Sequence, residues 1–146
     1  MEIPHNAHVL VIDGHKRLLF KNEGSLVSPN LSVAGHTEQD SAATRDQGSG
    51  RPGLAPASVG TSGSDYEQTD FHQQDEDRFA IDAADLLKRE VLEGRIEALI
   101  VVADPRTLGT LRKHYHSEVE KRVLGEIAKD VAGRTTDEIT TVIANS

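Results

Sequence analysis

The stretch EQTDFHQQDE gathers Glu67, Asp70, His72, Asp75 and Glu76, side chains able to ligate a metal or move a proton. On a helix, His72 and Glu76 are four apart and share a face, so a metal-dependent hydrolase is one reading. Such a site needs two or three convergent ligands and an open coordination position. The plainer reading is an acidic helix start, with Asp70 as N-cap and the other carboxylates favoured by the helix dipole. Upstream, GSGRPG (Gly48 to Gly53) offers backbone N–H groups and a guanidinium. Arg45, Gln47, Arg51 and Gly53 are therefore candidates for holding an anion in a loop. The stretch lacks the Lys-Ser/Thr of a phosphate-binding loop and opens no helix directly. Downstream, Arg106, Arg112 and Lys113, with Lys121 and Arg122, form the basic cluster of the chain. They could meet RNA phosphates, or simply be solvated charge around a helix end. His114 and His116 read as surface histidines favoured at a helix C-terminus. For nucleophilic catalysis there is no cysteine and no Gly-x-Ser-x-Gly elbow. Asp13 and Asp104 have turn and cap roles, so no enzyme class is supported, and neither a cofactor nor a metal is expected.

The composition bounds these readings. The 146 residues fit one domain with a real core. Twenty-four acids against sixteen bases give a net charge of −8, which disfavours sequence-blind binding to DNA or RNA. Aromatic residues make up 3% and tryptophan is absent, leaving few stacking platforms for single strands. No apolar run reaches the roughly 18–20 residues of a membrane span. The start, MEIPHNAHVLVIDGHK, lacks the pattern of a signal peptide. A cytoplasmic protein is expected, with no membrane span, no DNA partner, and an oligomeric state left open.

The elements that must position these residues follow from pattern. Val9 to Ile12 and Leu18 to Phe20 flank Asp13-Gly14, which predicts a hairpin with a two-residue turn at positive φ. A turn at Asn22-Glu23-Gly24 and a third strand over Leu31 to His36 complete a meander. Residues 37–70 are rich in Gly, Ser, Thr and Asp, and are read as a long internal loop. Phe79, Ala83, Leu86, Leu87, Glu90 and Val91 then recur at helical spacing, and Gly94 ends the helix. Ala98 to Ala103 reads as a strand buried on both faces. Asp104-Pro105 caps a helix that turns Leu108, Leu111 and Tyr115 inward. SEVEKRVLGEIAKDV is ambiguous, its periodicity favouring a helix. Thr135 and Glu138 are spaced as a capping box before a C-terminal helix. The first three strands have little core of their own, so a linker at 37–70 is disfavoured and residues 1–146 read as a single domain.

Taken together, VLVIDG, LLFKNEG, ATRDQGSGRPG, YEQTDFHQQDEDRFA and LIVVADPRTLGTLRKHYHSEV resemble the bacterial host attachment protein family, proteins required for attachment to host cells. Gly50 and Leu54 depart from that family's acid before, and arginine after, Arg-Pro-Gly. Ala103-Asp104-Pro105 stands where Ala-Pro-Pro is usual. The resemblance implies an α/β fold similar to the middle domain of archaeal and eukaryotic peptide-release factors: a three-layer domain with a mixed sheet and helices on both faces. It implies that the Gly-rich stretch is an exposed working loop ahead of a long helix. It also turns the ambiguous segment into a strand at about Arg122 to Ile127. No Gly-Gly-Gln occurs, so peptide release does not carry over. Three functions follow: a non-enzymatic binding module acting indirectly on host attachment through a protein partner, a ribosome- or RNA-associated protein, and the hydrolase at Asp70 and His72.

Overall fold

The computed structural model describes residues 1–39 and 61–146, and for 61–71 the backbone alone. Five strands form one sheet in the order β3-β2-β1-β4-β5. The meander is antiparallel: β1 (His8–Ile12), β2 (Lys16–Asn22) and β3 (Leu31–Glu38). On its other side β1 pairs in parallel with β4 (Leu99–Ala103), and β4 in parallel with β5 (Val123–Ala128). Both β1 and β4 are buried at every position, as expected of strands covered on both faces.

Alternation along the strands divides the core in two. Leu10, Ile12, Leu99 and Val101 face α1 (Thr61–Leu92), α2 (Pro105–His114) and α3 (Ser117–Arg122), meeting Phe79, Ala83, Leu87, Leu108 and Val119. Val9, Val11, Ile100 and Val102 face the opposite way, towards α4 (Thr136–Ala144) and the N-terminal segment, with Ile3, Ile139 and Ile143. The mixed sheet with helices on both faces is the fold implied by the resemblance. Among the described residues no helix is long and apolar enough to cross a membrane.

Several expectations are corrected. The hairpin turn is centred on Gly14-His15, not Asp13-Gly14, because the Asp13 N–H bonds to the Lys16 carbonyl. Neither central residue has positive φ. Asp13 Oδ1 instead accepts from the N–H groups of His15 (2.8 Å) and Lys16 (2.7 Å), a side-chain-closed turn that needs no left-handed residue. Helix α1 begins at Thr61, so Asp70 lies inside it and cannot be its N-cap. TSGSDYEQTD is rich in poor helix formers, which disguised it as loop. Once a stable helix exists downstream, each added residue gains a hydrogen bond without a new nucleation cost. At the other boundary β3 continues to Glu38, paired with Lys16. The ambiguous segment splits into α3 and β5, against its helical periodicity and in agreement with the strand at about Arg122 to Ile127 that the resemblance implies. Gly94 does end α1, at φ 79 in the left-handed region.

Candidate functional site

At the carboxyl ends of the parallel strands, where open α/β sheets usually place their ligands, Asp13 and Asp104 follow the paired residues Ile12 and Ala103. Asp13 is committed to its turn. Asp104 caps α2, Oδ2 accepting from the Thr107 N–H at 3.2 Å. Its Oδ1 is buried with no hydrogen-bond partner among the described residues.

The first described turns of α1 pack over this end. Glu76 Oε1 lies 3.4 Å from His15 Nε2, and Gly14 leaves room for it: a methyl group there would come within 2.5 Å of that oxygen. Asp77 receives Thr110 Oγ1 at 3.5 Å and lies 4.0 Å from Arg106. Gln39 joins three elements. Its side chain donates to the carbonyls of Gly14 (3.0 Å) and Asp75 (3.1 Å), while its backbone N–H donates to His15. The chain is thus anchored where it leaves β3.

The residues singled out from the sequence fare differently. Arg45, Gln47, Arg51 and Gly53 lie outside the described residues, as do the side chains of Glu67 and Asp70. His72 is half-buried, and Glu76 pairs with His15 rather than with it. No group of three His, Asp or Glu side chains among the described residues could hold a metal ion. The basic residues divide between α2 and α3. Arg106 sits at the start of α2 and Arg112 near its end, about 9 Å apart along the axis. Arg112 Nε donates to Glu126 Oε1 at 2.9 Å, and Lys121 pairs with Glu118 at 3.1 Å. Lys113 has no ion pair among the described residues. Tyr115 donates its hydroxyl to the same Glu126, and burial pushes the phenol's pKa up. His116 is not a helix-end surface group. It caps α3 with Nδ1 accepting from the Glu118 N–H at 3.0 Å, which requires that nitrogen unprotonated.

Sequence reasoning missed Gln39 and the His15–Glu76 pair. Each is isolated in the sequence, and only the closure of the hairpin against α1 brings them together. It also missed Asn22, fully buried. Its amide donates to the Ile3 (2.9 Å) and Pro4 (3.2 Å) carbonyls and accepts from the Gly24 and Asn30 N–H groups.

No curated protein matches the sequence. Residues 6–143 match the family described as bacterial archaeo-eukaryotic release factor family 12, spanning every described element apart from the last residue of α4. The chain therefore belongs to bacterial archaeo-eukaryotic release factor family 12.

Proposed function

We propose that the protein is a ribosome- or RNA-associated binding module of release-factor type that does not itself release peptide. The observation that carries this reading is membership of a release-factor family over residues 6–143 in a chain with no Gly-Gly-Gln. The anchored exit of β3 at Gln39 and the 32-residue helix α1 bracket the segment that holds Arg45 and Arg51. Those two arginines, with Arg106 and Lys113, are the cations assigned to RNA. An acidic chain contacts phosphate through a few local cations, so the association is weak and salt-sensitive. Four phosphate contacts give a log-log salt slope of about −2.8, or roughly a 50-fold loss of affinity between 50 and 200 mM salt. An effect on host attachment, as the family resemblance implies, is on this reading indirect. Adhesion unchanged by deletion of the gene would remove it without touching the ribosome reading.

Sedimentation with ribosomes at low and moderate salt is the direct test. Co-sedimentation at 50 mM that weakens by 200 mM, and that Arg45→Ala/Arg51→Ala reduces, is expected. Absence from the ribosome pellet at both concentrations overturns the proposal.

A further inference from the structure

Among the described residues, helix α1 covers β1 and β4 but leaves the β2–β3 side of the same face open. A cleft of about 750 Å³ results, within the range of small-molecule sites. Its floor is Arg17, Leu19 and Lys21 of β2 and Gly35 of β3; its wall is Leu86 and Glu90 of α1. Leu19 and Gly35 are register partners, and so are His8 and Lys21.

The charges of this cleft run against those of the chain. Glu90 lines it, but both its carboxylate oxygens are taken by Arg95, whose Nε and second guanidinium nitrogen lie at 2.5 and 3.1 Å. Arg95 is bound by Glu93 as well, so this group of one guanidinium and two carboxylates carries a net charge of −1 at the edge of the cleft. Arg17 and Lys21 have no ion pair among the described residues. Arg17 rests over the Phe79 ring, 5.5 Å from its centroid, which holds the guanidinium in place. Asp82 and Arg89 of α1 act on Arg17 with opposite signs. His8, buried at the Lys21 end, has its pKa lowered by burial and by Lys21, and at neutral pH carries no charge. Two unpaired cations therefore flank an apolar floor within a chain of net charge −8. They sit four residues apart on one strand face, about 13 Å between Cα atoms, and their long side chains can close on one group between them.

We propose that this cleft binds a small organic phosphate, its dianion held between Arg17 and Lys21 and its organic part lying over Leu19, Gly35 and Leu86. A phosphate monoester matches both the two charges and the donor geometry of a guanidinium. None of the residues lining the cleft is among the cations assigned to RNA, so this proposal can fail while ribosome association stands, and the reverse.

Titration calorimetry on the full chain with ribose 5-phosphate, AMP and inorganic phosphate, at constant ionic strength, tests it. Saturable one-to-one binding of an organic phosphate, tighter than that of inorganic phosphate, is expected. Arg17→Gln and Lys21→Gln should each weaken it at least tenfold. Gly35→Leu fills the floor while leaving the charges alone. A Cβ at Gly35 meets only Leu19 Cβ, at 3.8 Å, so the variant should fold and bind at least tenfold more weakly. The two charge variants alter half-buried positions and keep the test decisive if Gly35→Leu does not fold. No saturable binding of either organic phosphate overturns the proposal. So does affinity unchanged in Arg17→Gln and Lys21→Gln, or tighter binding of a 5′-phosphorylated RNA decamer than of AMP.

Discussion

Leu87 and Ile139 are each fully buried, on opposite faces of the sheet: Leu87 of α1 with Leu10, Leu99 and Val101, Ile139 of α4 with Val9, Ile100 and Val102. Leu87→Ala removes a side chain with no exposed surface to collapse into, and should cost about 2–5 kcal/mol. Ile139→Val removes one methylene and should cost about 0.5–1.5 kcal/mol. With the sheet between them the two share no packing partner, so the double variant should lose the sum to within about 0.5 kcal/mol. A domain of this kind is stable by about 5–15 kcal/mol, so a summed loss of about 2.5–6.5 kcal/mol leaves the double variant folded over most of that range. Urea unfolding followed by far-ultraviolet circular dichroism suits a chain without tryptophan. One transition is expected in all four proteins, with a common slope and shifted midpoints. The reasoning is that β1 and β4 belong to both cores, so neither face can be lost alone. Two transitions, one moved by Leu87→Ala and the other by Ile139→Val, would show that the faces unfold independently and would refute it.

Three further outcomes follow from single side chains. His8 has its folded pKa lowered below 6.5, first by burial. Below pH 6.5 the unfolded chain therefore takes up a proton that the folded chain does not, and stability falls as pH drops from there towards the folded pKa; His8→Val should flatten that fall in pH-dependent urea midpoints, and a steeper one would contradict the assignment. Asn22→Leu strands the Gly24 and Asn30 N–H groups and the Ile3 carbonyl, at about 1–3 kcal/mol each, so a loss of at least about 3 kcal/mol is expected, whereas exposed Asn30→Ala should change stability by no more than about 0.5 kcal/mol. Asp104→Ala should cost about 1 kcal/mol through the lost cap of α2, and Asp104→Ser, which keeps an acceptor for the Thr107 N–H, should recover most of it in thermal melts.

What could be read from the sequence depended on how local the cause was. The Asp104-Pro105 start of α2 and the Thr135–Glu138 capping box are set by neighbours within three residues, and both are present, Thr135 Oγ1 accepting from the Glu138 N–H at 3.2 Å. The Glu138 carboxylate is held below its ordinary pKa by Arg134 and then by Thr135. Strand β5 shows the opposite case. Val119, Val123 and Ile127 recur every four residues like a helix stripe, yet Val119 belongs to α3 and the other two to the strand. A register shift opposite Leu99/Ile100 skips Leu124. It sends Val123 towards the α1 face and Ile127 towards the α4 face, so the bulge erases the two-residue period that marks a strand. The cleft was hidden for another reason. KRLLFKN puts Arg17, Leu19 and Lys21 on one face and Lys16, Leu18, Phe20 and Asn22 on the other, so each face mixes charge with apolar side chains, and the face left open is decided by where α1 lies, which no local pattern encodes.

The carboxyl ends of β1 and β4 illustrate why residue type alone is a poor guide to chemistry. Asp13, Asp104, Glu76 and Asp77 all gather there, and each has a structural partner: two backbone N–H groups, a helix cap, His15, and Thr110 with Arg106. A carboxylate committed in this way must break a structural bond before it can serve as a base or a ligand. The orphan Asp104 Oδ1 is buried and cannot take a metal without two more ligands, which the described residues do not bring to it. The cations divide similarly. Arg112, Arg95 and Lys121 are spent on Glu126, Glu90 with Glu93, and Glu118, while Arg17 and Lys21 line the cleft with no ion pair among the described residues. In a chain with eight more acids than bases, the groups free to meet a partner are those the fold has kept away from its own carboxylates. Binding is therefore to be sought at β2 and, for RNA, at Lys113 and the weakly paired Arg106 of α2, rather than in the acidic stretch that carries the most chemistry on paper.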